Sequence, residues 1–351
     1  MVPGGGALAA EVAVDLGTAS SQVHVRGRGV VVDEPSVAAV DRTGRVVAVG
    51  AAAEEAGEDP ALALVRPLTR GAVHDVELAT RLLRALLERA GVRRRPRPRL
   101  LLCVPPAATE VERRALARTA RDAGGADAVL LEAVTAAGLG AGAPVTSPLG
   151  TMVVDVGAGA TRAAVLSMGV VVASGVERVG ALDVDAAVRA WLRRSAGLAV
   201  GQRTASAVTR ALASAGEDAT GAVEVAGRDT GSGAAKTAVV SAEEVAAAVE
   251  DPLAAITATA VACLAGTPAE LTRDLSHRAV HLVGGGALLR GVAPRLEAAT
   301  GLRFALVEDP VTCAVRGAAH CFESPQALRA ATVRAGPARR GPGTRPGSRR
   351  G

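Results

Sequence analysis

The chain has 351 residues, with 40 basic and 35 acidic side chains, a formal charge of +5 and a hydrophobic share of 49%. That length suits two domains of roughly 150 residues each, and the apolar share supports a sizeable core. No run of about 18 or more uncharged apolar residues occurs, so no membrane-crossing helix is expected, and residues 1–10 lack the basic segment and apolar run of a signal peptide.

Aromatic side chains are Trp191, Phe304 and Phe322, with no tyrosine, so Ala, Val and Leu must fill the interior. Lys236 is the only lysine. An Ala, Arg and Gly bias of this kind reflects a GC-rich genome, which discounts the high pI as a sign of nucleic-acid binding. Cys103, Cys263, Cys313 and Cys321 lack metal-ligand spacing and read as reduced core thiols of a cytoplasmic protein, a Cys313–Cys321 pair being the alternative. His24, His74, His277, His281 and His320 are scattered and read as structural or surface residues.

Strand signals crowd residues 1–50. Val12 and Val14 alternate into Asp15-Leu16-Gly17; Val23 with Val25, Val30 to Val32, Val37 to Val40 and Val46 to Val49 follow. Residues 76–90 read as an amphipathic helix with Leu82, Leu83, Leu86 and Leu87 on one side. Leu100 to Val104 reads as a buried strand, and 109–123 as a helix opened by a Thr109/Glu112 capping box. Residues 181–196 and 202–214 read as helices, and 221–226 and 236–240 as strands around a glycine-rich turn. Ser241 to Leu264 reads as one long alanine-rich helix. A strand from Ala279 to Val283 meets Gly284-Gly285-Gly286, and a helix is expected next. From Ser324 the periodicity stops; this Pro, Gly and Arg tail is expected to be disordered. The RRRPRPR stretch at 93–99 is expected to be a surface loop. The order of elements is that of an α/β protein whose sheets are covered by helices.

The chain also repeats itself. EVAVDLGTASSQVHVRGRGVVV from Glu11 aligns with TMVVDVGAGATRAAVLSMGVVV from Thr151 at a constant offset of 140. Asp15 falls on Asp155, Gly17 on Gly157, Gly29 on Gly169, and Val30 to Val32 on Val170 to Val172. Two unrelated hairpins in a valine-rich protein are one reading of this match; the sharper one is two related domains, each opening with an Asp-x-Gly hairpin, placed to hold one ligand between them. Glycine at 17 and 157 permits a tight turn whose backbone N–H groups face a phosphate. A carboxylate there repels phosphate directly, so Asp15 and Asp155 make sense beside Mg²⁺, reached directly or through water. Gly284 to Gly286 before a helix supplies a third set of backbone donors for base, ribose or phosphate. Each turn alone is an ordinary hairpin or helix entry; their combination carries the inference.

These loops resemble those of the MreB family of bacterial actins. DLGTASS resembles its first phosphate loop, DVGAGATR its second and LVGGGALLRG its adenosine motif, and similarity extends through GRGVVVDEPSVAAVD, VPPAATEVERRAL, VERVGALDVDAAV and VEDPVTCAVRGAA, over residues 11–322. The heat-shock chaperone ATPases and sugar kinases share the fold but lack the EPSV and TEVERRA stretches. The resemblance implies an actin-like ATPase fold of the ribonuclease H-like type, with two pseudo-symmetric domains flanking a nucleotide cleft. It implies a flexible segment at 1–10, domain I at 11–144, domain II at 145–308, a helix at 309–323 returning to domain I, and a basic tail at 324–351. ATP with Mg²⁺ is the implied cofactor, held by Asp15, Gly17, Thr18, Ala19, Gly157, Ala158, Gly159, Gln202, Gly284, Gly285, Gly286 and Ala287, with Asp15 and Asp155 toward the metal and Asp155 counted as catalytic. Head-to-tail filaments on the inner membrane face that organise peptidoglycan synthesis are the implied assembly.

Departures from the family pattern concern catalysis. Where the family reads roughly EEPMAAAIGAG this chain reads EAVTAAGLGAG, which puts Glu132 on the first glutamate and Ala133 on the second, the one that positions the attacking water. Where it reads DIGGGTTE this chain reads DVGAGATR, so Ala158 replaces a glycine, Ala160 a threonine linked to hydrolysis, and Arg162 a glutamate. A shift of one residue would let Glu132 substitute as the catalytic group. Gln202 stands where the family has a glutamate near the ribose. Nucleotide binding is therefore expected to persist while hydrolysis is slow or lost.

Gly4-Gly5-Gly6 rules out a good N-terminal amphipathic helix. Arg93, Arg94, Arg95, Arg97 and Arg99, with tail arginines 334, 339, 340, 345, 349 and 350, suit anionic lipid at about 1 kcal/mol per charge, or are simply solvated. Nucleic acid is disfavoured because no aromatic platform accompanies the charge. Three functions are weighed: a filament subunit driven by ATP binding, a non-polymerising pseudo-ATPase scaffold for wall or sporulation machinery, and a small-molecule kinase on the same fold, which suffers from the lack of a substrate-binding insertion or general base.

Overall fold

The computed structural model describes residues 9–57, 59, 61–105, 108–212 and 221–333. The tail arginines, Gly4 to Gly6 and positions 213–214 of the expected helix fall outside these residues.

The first half runs β1 (Glu11–Leu16), β2 (Ser20–Val25), β3 (Gly29–Pro35), β4 (Ala38–Val40), β5 (Val46–Val49), α1 (Ala51–Ala56), β6 (Ala63–Val65), β7 (Leu68–Thr69), β8 (Ala72–Val73), α2 (Val76–Arg89), β9 (Arg99–Val104), α3 (Glu110–Asp122), β10 (Asp127–Glu132) and α4 (Ala133–Gly140). The second runs β11 (Thr151–Val156), β12 (Thr161–Ser167), β13 (Val170–Glu177), α5 (Ala181–Ser195), β14 (Leu198–Ala199), α6 (Gln202–Leu212), β15 (Ala222–Asp229), β16 (Ala235–Ser241), α7 (Ala242–Ala248), α8 (Glu250–Ala265), α9 (Ala269–Ser276), β17 (Val280–Val283), α10 (Val292–Thr300), β18 (Phe304–Leu306), α11 (Cys313–His320) and α12 (Pro325–Ala331).

The two halves share one sheet topology. Five strands order as β10-β9-β1-β2-β3 in one and as β18-β17-β11-β12-β13 in the other. In each, an antiparallel meander joins two parallel strands. The offset seen in the sequence survives in the register: Val12 pairs with Val25 and Asp15 with Gln22, while Met152 pairs with Val165 and Asp155 with Arg162.

Alternation within β1 and β11 explains the layers. Val12, Val14 and Leu16 point toward the leucines of α2, whereas Ala13 faces α11 and α4. Met152, Val154 and Val156 face α5 and α8, whereas Val153 faces α4. Helices α4 and α11 thus form a layer shared by the two sheets: Ala133 and Ala136 pack on the first, Val134 and Ala137 on the second. Glycine makes the layer thin. A Cβ on Gly317 would lie 1.7 Å from the Ala136 carbonyl oxygen, and one on Gly140 would lie 1.9 Å from that of Cys313. All four cysteines are free and buried, so Cys313 and Cys321 are not bridged.

Three expectations need correction. The long helix at 241–264 is two helices, α7 and α8, bent by 58°. Pro252 sits in the first turn of α8, where its missing N–H is tolerated but a continuing α7 would not be. No single helix among the described residues is long and apolar enough to cross a membrane. After Gly284 the chain makes a short 3₁₀ turn, Gly285–Leu288, and α10 begins only at Val292. Order also extends beyond Ser324, whose side chain accepts from Ala327 N to cap α12, with Pro325 at its start and Ala327 and Ala331 buried.

Candidate functional site

The two Asp-x-Gly hairpins are built alike. Gly17 N donates to Ser20 O at 3.1 Å, and Gly157 N donates to Ala160 O at 2.9 Å. A Cβ at either glycine would come within 2.4 or 2.9 Å of the accepting carbonyl oxygen, so both turns need the missing side chain. The first hairpin is tied to the β7–β8 turn: Thr18 Oγ1 accepts from Gly71 N at 2.9 Å, and Arg66 Nη1 donates to Thr18 O at 3.1 Å and to Ala19 O at 3.3 Å. The second is tied to the start of α5, where Ala181 N and Leu182 N donate to Gly157 O and Ala158 O at 3.0 and 2.9 Å. Those bonds satisfy N–H groups a helix start would leave open.

Both hairpins open onto one cavity of about 820 Å³. Asp15, Gly17, Thr18, Ala19, Asp155, Gly157, Ala158, Gly159, Gln202 and Gly284 to Gly286 all line it, as do Ala133 and Ala160. Glu132 and Ala287 are not among its lining residues: Glu132 closes β10 ahead of α4, and Ala287 is a buried residue of the 3₁₀ turn. Gly284 has φ +87°, and a Cβ there would lie 2.4 Å from Asp155 Oδ1. The glycine turn is thus pressed against the second hairpin.

Several lining residues escaped the sequence reading. Asp185 accepts from Gln202 Nε2 at 2.8 Å and from the Ser206 hydroxyl, which anchors Gln202 at the wall. Arg66, Arg203 and Arg210 add cationic groups. Helical spacing placed Gln202, Ser206 and Arg210 on one face of a single helix, which was the available signal.

At the cavity floor Asp155 and Arg162 face each other across β11 and β12 and pair, Nη1 to Oδ2, at 2.8 Å, each side chain 12% exposed. Its counterpart Gln22 instead donates to Asp33 at 2.7 Å. Burial pushes the Asp155 carboxyl upward against the opposing pull of Arg162. Asp15 is raised to about 6, by burial first, then by repulsion from Asp155, with Arg162 opposing. A raised carboxyl pKa means the folded chain holds the proton more tightly than the unfolded chain. That contribution is complete below 3.8 and lost as pH rises through about 6. In ligand-free protein near pH 7.5, Asp15→Asn is therefore expected to raise Tm by roughly 1–4 °C, for about 1–3 kcal/mol. Near pH 4 the gain should vanish; a thermal melt showing a fall at the higher pH would contradict it.

Of the two carboxylates expected to face magnesium, one has a protein partner. The structure brings Asp15 and Asp155 to one cavity, but Asp155 is committed to Arg162. A nucleotide fits better: the volume is in the usual ligand range, and the walls supply hairpin N–H groups and arginines.

Twin sheets that each send an Asp-x-Gly hairpin into a shared cavity, with a third glycine turn across it, define the actin-like ATPase fold class. The chain belongs to the MreB/Mbl protein family, whose model matches residues 9–330. It is 36% identical over 323 residues to the cell shape-determining protein MreB of Escherichia coli strain K12, covering 89% of this chain and 93% of that one. Among solved structures, MreB5 of Spiroplasma citri bound to AMPPNP superposes with a TM-score of 0.83 at 31% identity, over 90% of this chain and 96% of that one. The MamK double helical filament matches with a TM-score of 0.77 at 23% identity over 90% and 99%, which speaks to the fold.

Proposed function

We propose that this chain is an MreB-like cytoskeletal filament subunit that organises cell-wall synthesis and cell shape. It binds ATP between its two sheets and uses binding, more than hydrolysis, as its switch. The observation that carries this reading is the pair of equivalent hairpins, each closed by the same glycine N–H bond, opening with Gly284 to Gly286 onto one cavity. The AMPPNP held by the Spiroplasma citri relative and the cell shape-determining role named for the Escherichia coli relative support it. Slow hydrolysis follows from Ala133 and Ala160, which offer the cavity no polar side-chain atom.

Head-to-tail assembly is an open contact that repeats without closing. Wall-synthesis membrane proteins and the anionic inner membrane surface are the proposed partners, and the cytoplasmic face of that membrane the proposed location. Arg93, Arg95 and Arg97 are exposed in the 93–99 loop, while Arg94 and Arg99 are paired with Glu88 and Glu11, which reduces the loop's available charge. The same alanines, with Arg162, favour a second reading: a pseudo-ATPase scaffold that does not polymerise.

High-speed sedimentation with and without ATP, with phosphate release read in the same tubes, separates the two. ATP-dependent pelleting with little phosphate release is expected. Protein that stays soluble in both tubes would leave the scaffold and withdraw the filament.

A further inference from the structure

We infer that the Arg162 guanidinium is a built-in counter-cation for the polyphosphate of a bound nucleoside triphosphate, so that binding at this site does not require a divalent metal. This rests on the nucleotide reading above and concerns how the site neutralises its ligand.

Position comes first. Arg162 lies directly opposite Asp155 in the β11–β12 register and lines the cavity. Its Nη1 donates to Asp155 and lies 3.7 Å from where a Cβ on Gly157 would stand, so the cation sits under the second phosphate hairpin. Its Nη2 lies 2.5 Å from the corresponding point on Gly71, beside the loop that holds Thr18. The head group is therefore wedged between the second hairpin and the β7–β8 turn that holds Thr18. Its Nε is buried without a partner, which leaves an unsatisfied donor in that position. A guanidinium presents five N–H donors in a planar fork that suits phosphate oxygens.

Charge points the same way. A carboxylate at position 162 would stand beside Asp15 and Asp155 as a third negative group, so a polyphosphate would lean on a metal ion beyond what Arg66, Arg203 and Arg210 supply from the walls. Arginine in place of that carboxylate makes the site more positive by two charges, the charge of one divalent cation. The residue that supplies this charge also occupies Asp155, the carboxylate that a metal would need. An arginine serving only to neutralise Asp155 would leave the ligand's charge to the wall arginines and a metal, and binding metal-dependent, which separates the two roles by measurement.

The test is titration calorimetry of ATP into the full-length chain in MgCl₂ and in EDTA. The dissociation constant is expected to change by less than about threefold between the two. Arg162→Glu should bind in MgCl₂ and weaken by about thirtyfold or more in EDTA. Should that variant fail to fold, Arg162→Gln removes the charge without adding a second buried carboxylate, and its affinity in EDTA should drop by about tenfold. Wild-type binding that weakens by about tenfold or more in EDTA, or Arg162→Gln binding in EDTA as wild type does, overturns the inference. Absence of ATP binding in both buffers would instead refute the nucleotide reading on which it rests.

Discussion

Restoring two polar side chains, Ala133→Glu with Ala160→Thr, is expected to raise ATP turnover by about 10- to 100-fold. Ala133 begins α4 at the cavity wall, and Ala160 ends the second hairpin, where its carbonyl accepts the Gly157 N–H. Both side chains are methyl groups, so neither orients a water molecule beside a bound phosphate. Positioned proton acceptors contribute about 10²- to 10⁴-fold in general. A gain at or below the bottom of that range is expected here, because Arg162 still occupies Asp155. Glu132 ends β10 just ahead of α4 and is not among the residues that line the cavity. Residues that act on one water behave as a unit, so each single substitution should give much less than half of the logarithmic gain. Phosphate release under saturating ATP and Mg²⁺ measures it. A double variant that binds ATP and melts as wild type does, yet turns over no faster, would show that these two side chains do not limit hydrolysis.

Legibility in the sequence followed the range of the interaction. The repeat at offset 140 was readable because strand alternation and a glycine turn fix each hairpin locally, and the Gly17 and Gly157 bonds are within each turn. Arg162 was visible as a departure, but its partner was not. The partner follows from register: two strands joined by a tight turn from Gly157 to Ala160 place residue 162 opposite 155. The break between α7 and α8 had a plain marker in Pro252, which alanine-rich periodicity masked. Helix α12 had its own markers, Ser324 as cap and Pro325 at the first position, masked by the arginine-rich composition that follows. Beyond local reach were the Asp185–Gln202 bond and the backbone contact of α4 with α11, since periodicity shows which face is apolar and not which partner covers it.

That contact should be the least tolerant point in the chain: Gly317→Ala is expected to lower stability by about 3 kcal/mol or more and Tm by roughly 4 °C or more. In an exposed helix the same change would gain up to about 1 kcal/mol, because alanine has the higher helix propensity. Here the added methyl would stand 1.7 Å from Ala136 O and 2.7 Å from both Ala136 C and Gly140 N. These are backbone atoms of α4, so no rotamer change relieves the overlap and the helices must separate. Separation has nowhere to go, since Ala133, Ala136, Val134 and Ala137 of α4 are packed against both sheets. Gly140→Ala meets Cys313 O at 1.9 Å and forces the same displacement. The double variant should therefore lose clearly less than the sum of the two singles, the signature of residues coupled through one backbone shift. Urea unfolding of the three variants gives the numbers. Additive losses would mean that each glycine is accommodated separately, and a neutral Gly317→Ala would mean that the two helices do not touch through their backbones. Because this layer is the one that both sheets share, the same variants should also weaken ATP binding between them, with Gly317→Ala losing affinity in step with its loss of stability.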